Sequence, residues 1–313
     1  MKKFVALFVL AIALFASVGI GTSEAATWPS ARTTLILHSA AGAGGDIMLR
    51  SLARFIETKG NFPAIVENVT GASGANAWNR VARSKPDGTT LLGVSSTLIA
   101  SPLQNNIPLN YTSFDPVARL FIDPVCVYTG GDSPYKTLGE LLEAAEKRPG
   151  ELTMTGGTPG NIEFVAARGL MRETGVDIPI VPFEGGGEGV VAVIGGHINA
   201  GIGEYAEMVS SVEGGKVRIL ATFNKIPGLD IPTIEELGYK TKVEKFRGIM
   251  VPKGTPQDIK DAIFDVLKQA MEDPAFKEYY TNNHLLPALQ DGDTFYKFME
   301  QQNEDVKASL AGN

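Results

Sequence analysis

From residue 33 to residue 222, short β-rich runs alternate with amphipathic helical ones, and no other feature of the chain limits its fold as much. Strands are predicted at 34–37, 64–67 and 90–94, with helices at 46–58 and 75–83 between them. Met48, Leu52 and Ile56 recur every four residues, which puts them on one helical face. A β-α-β succession predicts a parallel sheet covered by helices on both faces. The alternation restarts after Cys126, with helix 138–147, strand 152–155, helix 163–173, strand 180–182, helix 190–194 and strands 198–202 and 217–222. This predicts a second α/β unit.

Two segments read as crossings between the units. One is residues 118–128, an apolar run broken by Asp123-Pro124, and the other is residues 246–251, after the polar stretch 240–245. The remainder is helical and shows no strand of its own. Thr255-Pro256 opens a helix with a hydroxyl cap and a proline in its first turn, and Ile259, Ile263, Val266 and Leu267 give that helix an apolar face. Such helices need a sheet to pack on. Residues 246–313 are therefore assigned back to the first unit, so that the expected domains are 26–124 with 245–313, and 125–244.

Two glycine-rich junctions lie in separate halves: Ala40-Ala41-Gly42-Ala43-Gly44-Gly45-Asp46, and Phe183-Glu184-Gly185-Gly186-Gly187-Glu188-Gly189. Each leads from an apolar run into a helix. Glycine lets backbone N–H groups approach a ligand closely, and the first helical turn carries unpaired donors and partial positive charge. The pair suggests one small anion held from two sides; either could also be only a tight strand-to-helix turn.

Residues 1–25 read as an export signal, with Lys2 and Lys3 as a basic head, an apolar run over 4–18, and Ser23-Glu24-Ala25 as a small-x-small cleavage site. The mature chain is expected to begin at Ala26 and to be periplasmic. Removing two lysines and a glutamate takes the formal charge from -7 to -8 and leaves 288 of 313 residues, enough for two domains. No later stretch approaches ~20 uninterrupted apolar residues. A net negative chain without basic runs argues against nucleic acid or anionic lipid as partner. Cys126 is the only cysteine, so no internal disulfide is expected and no thiol lies near the new N-terminus for lipid attachment.

The stretch Glu67-Asn68-Val69-Thr70-Gly71-Ala72-Ser73-Gly74-Ala75-Asn76, followed by Lys85-Pro86-Asp87-Gly88-Thr89-Thr90-Leu91-Leu92, resembles the solute-binding receptors of tripartite tricarboxylate transporters, the Bug family. The resemblance extends to His38 through Asp46 with Ala53-Arg54, to Phe114-x-Pro116-Val117-Ala118, and to Pro182-Phe183-Glu184-Gly185-Gly186-Gly187. It continues through Gly195-Gly196-His197-Ile198-Asn199-Ala200-Gly201, Gly214-Gly215-Lys216-Val217-Arg218 and Val251-Pro252-Lys253-Gly254-Thr255-Pro256. It implies a two-lobed periplasmic-binding-protein fold, the type II-like Venus flytrap, with mostly parallel sheets flanked by helices. A small carboxylate would be held in the cleft by backbone amides and ordered waters from both lobes, without cofactor or metal. The receptor would act as a monomer and hand its ligand to membrane transporter subunits; a sensor protein is a further conceivable partner.

Carried over by position, the resemblance implies first-lobe contacts from Ala40, Ala41, Gly42, Ala43, Gly44 and Gly45, with Asp46 opening the helix, and from the Ser95-Ser96-Thr97 turn. Capping of local backbone is the alternative role for those hydroxyls, and a plain helix start is the alternative for Asp46. The second lobe would contribute Thr155, Thr158, Asn161, Gly185, Gly186, Gly187, Glu204 and Tyr205. The chain departs from the family pattern in three places. Ala43 stands where a second adjacent glycine is common, Glu184 where lysine is common with Glu188 nearby, and Glu163 where histidine is frequent. Added negative charge near the site disfavours a highly charged tricarboxylate and suits a ligand with one carboxylate and a cationic or neutral polar group, unless these glutamates face solvent.

The competing class is a secreted hydrolase or other enzyme acting on a small carboxylate. No Gly-x-Ser-x-Gly elbow occurs, since Gly93-Val94-Ser95-Ser96-Thr97 lacks the final glycine, and there is no His-Glu-x-x-His. Of three histidines, His38, at the end of the first strand, is the candidate for acid–base chemistry, against a packed strand-end role. Cys126 reads as a core residue. A ligand-sensing domain of a regulator would need an output module, for which the sequence shows no segment.

Overall fold

The computed structural model describes residues 28–29, 31–60, 62–183 and 186–311. The expected export segment 1–25 lies outside the described residues, as do Glu184 and Gly185.

Eleven strands form two sheets among the described residues. In the first, β1 (Thr33–Leu37), β2 (Ala64–Asn68), β3 (Thr90–Ser95), β4 (Phe114–Asp123), β10 (Lys245–Pro252) and β11 (Leu286–Asp291) take the order β11-β4-β10-β3-β1-β2. In the second, β5 (Val125–Gly130), β6 (Met154–Thr155), β7 (Ile180–Val181), β8 (Ala200–Glu204) and β9 (Val217–Thr222) take the order β7-β6-β8-β5-β9. Every strand of the second sheet thus falls between β4 and β10 in sequence.

The expectation of mostly parallel sheets is corrected: both are mixed. β1 pairs in parallel with β2 and β3, and β6 with β7 and β8, as β-α-β units require. The crossings impose the rest. β4 runs straight into β5 through Pro124 alone, and β10 brings the chain back antiparallel to both β3 and β4. β5 is likewise antiparallel to β8 and β9.

The helices follow the apolar stripes. α1 (Gly44–Gly60) buries Met48, Leu49, Leu52 and Ile56 against Leu35 and Leu37 of β1, each such side chain contributing about 1.5–3 kcal/mol of burial. α2 (Ala75–Ala82) puts Trp78 and Val81 into the other face. α3 (Thr97–Asn105) continues the turn after β3 and carries Pro102 inside it. On the second sheet lie α4 (Leu138–Lys147), α5 (Ile162–Thr174), α6 (Gly186–Ile194) and α7 (Tyr205–Glu213). The C-terminal part supplies α8 (Gln257–Glu272), α9 (Pro274–Asn282) and α10 (Gly292–Leu310).

Two expectations for that C-terminal part change. It does contain a strand: β11 pairs antiparallel with β4 at the sheet edge, with a register break between Pro287 and Gln290, a position where an edge strand accommodates proline. The helices do not rest on the first sheet alone. Phe295 and Met299 of α10 pack with Phe246 of β10, while Val306 belongs to the same core as Val165 and Ala166 of α5.

Candidate ligand-binding site

The site lies between the C-terminal end of β1, the start of α1, the segment leading into α5, the end of β8 and the first residues of β10. These elements enclose a cavity of ≈ 720 Å³.

β1 delivers the chain through His38 and Ser39 into the first glycine junction. Gly42 has φ +84°, so the left-handed position of the loop falls on a glycine, and Ala43 needs no such conformation. The Gly42 N–H donates to Asp46 Oδ2 at 2.9 Å, Arg50 Nε donates to the same oxygen at 2.9 Å, and Asn68 Nδ2 donates to Oδ1 at 2.9 Å. Asn68 Nδ2 also donates to the Ser39 carbonyl at 3.0 Å. Asp46 is therefore a buried latch that fixes the loop's shape. Burial acts to raise its pKa, but the donors from Arg50, Gly42 and Asn68 prevail and hold it below the usual carboxylate value.

With the loop so held, Ala40, Ala43, Gly44 and Gly45 face the cavity, while Ala41, Gly42 and Asp46 lie outside its lining. Gly44 lies at a close approach: a Cβ there would stand 2.5 Å from a guanidinium nitrogen of Arg247, which would have to shift. Arg247 Nε donates to Asp123 Oδ2 at 2.9 Å, and its Nη2 donates to the same oxygen. Asp123 is fully buried, and its Oδ1 has no partner among the described residues.

Ser95, Ser96 and Thr97 all border the cavity. Ser96 is nonetheless committed to the frame, because its Oγ donates to the Glu244 carbonyl at 2.8 Å and accepts from the Phe246 N–H at 3.0 Å, tying β3 to β10. Ser95 accepts from the Thr97 N–H at 3.4 Å and donates to Thr97 Oγ1 at 3.2 Å, which leaves those two half-buried hydroxyls beside the cavity.

From the second sheet, Thr158, Asn161 and Glu204 line the cavity. Thr155 and Gly186 line a small adjoining pocket of ≈ 40 Å³ that shares Asn161, Glu163, Glu204 and Glu207 with the main one. Gly187 lies outside both linings, and Gly185 lies outside the described residues. Tyr205 is buried behind β8, edge-on to the His284 ring at 5.1 Å and packed with Cys126 and Ile226, so it does not reach the cavity.

Among the charged groups of the cavity Glu204 was an expected contact and Glu163 a noted departure, whereas Lys245, Arg247 and Glu207 were not expected. Lys245 Nζ donates to Glu163 Oε1 at 3.0 Å and to Glu204 Oε1. Glu163 is therefore inside the site and buried. Glu207 reaches the open part of the cavity, and a Cβ built on Gly186 would fall within 1.7 Å of its Oε2. Although part of this side chain meets solvent, its pKa is pushed up to about 7 by crowding away from water and by the charges of Glu163 and Asp123, with Arg247 opposing. Burial and, secondarily, Lys245 push His38 down to about 4, so this ring is neutral near pH 7. The missed cations had a legible signal: Lys245 and Arg247 alternate on one face of an otherwise apolar strand. Ser73 and Ser101, joined by a 2.8 Å hydrogen bond from Ser101 Oγ to the Ser73 carbonyl, also line the wall. Ser73 lay inside the motif that carried the family resemblance. Among the described residues no cluster of His, Cys, Asp and Glu is arranged to hold a metal ion.

Two mixed α/β sheets exchanging the chain through paired crossings, with a cavity bounded by both, define a two-lobed binding protein of the periplasmic-receptor architecture. Residues 48–310 match the family described as "Tripartite tricarboxylate transporter family receptor", and the chain belongs to that family. A UPF0065 protein in the gbd 5′ region of Cupriavidus necator is 28% identical over 299 residues, covering 92% of this chain and 89% of its own. The structure of a TctC solute-binding protein from Polaromonas, solved without ligand, is 28% identical with a TM-score of 0.79, covering 91% of this chain and 99% of that one. The periplasmic binding protein BugD is 25% identical with a TM-score of 0.77, covering 90% and 97%.

Proposed function

We propose that this receptor is exported to the periplasm by cleavage after Ala25, takes a small carboxylate into the cavity between the sheets and presents it to membrane subunits of a tripartite transporter. The observation that carries the ligand class is the convergence of the α1 N-terminus, through Ala43, Gly44 and Gly45, with Arg247 and Lys245 on one cavity. A helix N-terminus contributes typically ~0.3–1 kcal/mol toward an anion, up to ~2 when partly buried, and a charge-assisted hydrogen bond from a guanidinium adds to it. Among the described residues no helix is long and apolar enough to cross a membrane. An intact mass beginning at Ala26 in periplasmic extracts tests the export step.

In this reading 26–124 with 245–313 and 125–244 are two lobes that close on ligand through the crossings. The protein binds without turnover, which accords with a neutral His38 and a Cys126 whose thiol burial pushes up, away from the thiolate. Gly44→Val is the direct test. The branched side chain would occupy the approach to Gly44 and push the Arg247 guanidinium aside, removing both donors of that end while the loop latch at Asp46 stays intact. A calorimetric screen of mono-, di- and tricarboxylates and amino acids should find a ligand whose affinity falls at least tenfold in the variant, and which is recovered chemically unchanged. Equal affinity in a folded Gly44→Val protein rejects the α1 carboxylate site.

A further inference from the structure

The second glycine junction does not present an empty helix end. α6 begins at Gly186, and the space that a side chain would need there is taken by the Glu207 carboxylate, brought in from α7. The Glu207 carboxylate thus lies against the first residue of α6, where the helix end favours an anion. Glu207 borders both the main cavity and the small pocket beneath it, so the same carboxylate faces whatever part of a ligand points toward the second sheet. Around it stand Glu163 and Glu204, which share the single ammonium of Lys245.

The opposite end is built differently. There the α1 N-terminus meets Arg247, whose hydrogen-bonded carboxylate, Asp123, is buried behind it rather than lining the cavity, although Glu207 also feels the charge of that guanidinium. The cavity therefore has a donor-rich end at the first sheet and an end at the second sheet where carboxylates outnumber ammonium groups.

We propose that Glu207 stands in for a second ligand carboxylate at the start of α6, so that the cavity selects ω-amino acids, with the carboxylate at α1 and the ammonium facing Glu163, Glu204 and Glu207, over dicarboxylates. This rests on the carboxylate reading and narrows it. A dicarboxylate of the same length would bring its second anion against the one already lying at the helix start, a repulsion between like charges. An ammonium at that position gains the carboxylates it would otherwise lack.

Matched pairs isolate the effect: glutarate against 4-aminobutyrate, and adipate against 5-aminopentanoate, each exchanging one carboxylate for an ammonium on the same chain. Calorimetry at pH 8, where Glu207 is charged, should show the amino acid bound at least tenfold more tightly in the pair that fits the cavity. Glu207→Gln keeps the shape and removes the charge. It should shrink that preference tenfold or more, chiefly through tighter binding of the dicarboxylate, with thermal unfolding confirming that the variant is folded. A wild-type preference for the dicarboxylate, or a ratio unchanged in Glu207→Gln, overturns the inference while leaving the carboxylate reading intact. Binding of either pair that is indifferent to Gly44→Val instead rejects the α1 carboxylate end, and failure of all four compounds to bind rejects the amino-acid assignment.

Discussion

Asp46 shows how a residue can shape a site without entering it. Its two oxygens take N–H groups from Gly42, Arg50 and Asn68, so that one carboxylate fixes the glycine loop, the first turn of α1 and the end of β2 together. Asp46→Asn replaces an oxygen by a donor facing other donors and should lower stability by about 1–3 kcal/mol, the range for a buried polar group that loses partners. The sign with pH follows from linkage. Its folded-state pKa is depressed below 3.8, so the unfolded chain binds more protons in that region. The latch's contribution is complete above about pH 4–5 and is lost as pH falls through the folded value. Chemical denaturation from pH 7 to pH 3 should therefore show the gap between wild type and Asp46→Asn closing toward the acid end. A gap that stays constant would mean that the ionised form is not what holds the loop.

At the scale of elements, α10 has the role least expected from a C-terminal helix. Phe295 and Met299 pack against Phe246, and farther along Ser309 comes to the same place as Gly169 of α5 and Thr241. Met299→Ala should destabilise by about 2–5 kcal/mol, the range for truncating a fully buried side chain, and would be read from the urea midpoint. A loss under 1 kcal/mol would indicate that the helix repacks freely. The period of the apolar residues made β1 to β3 and α1 legible in the sequence, because each buries one face against one partner. It could not reveal that α10 has two partners, since a helix stripe records burial and not what lies opposite. β11 escaped notice because Pro287 interrupts its ladder. The start of α3 reads in the sequence only as a turn, because Pro102 lies inside the segment. In the site, glycine loops and hydroxyl turns were legible as local signals. The ion pairs of Lys245 with Glu204 and Glu163 and of Arg247 with Asp123 join residues from 41 to 124 positions apart, and only the fold brings them together.

For the molecule as a whole, two chain crossings join the sheets, β4 into β5 at Pro124 and the return into β10 at Lys245, and α10 packs across both units. If the lobes close on ligand, they do so as rigid bodies about these few positions. Small-angle scattering at saturating ligand should then show a smaller radius of gyration than the free protein. An unchanged curve would mean that the cavity fills without lobe motion. One of those connections carries charge as well as chain. Asp123 is the last residue of β4, immediately before Pro124, and it holds the guanidinium that reaches across to Gly44 in the cavity wall. An anion bound at α1 would share this guanidinium with the Asp123 carboxylate at the crossing. Occupancy of the pocket would then alter the charge balance one residue from where the chain passes between the sheets.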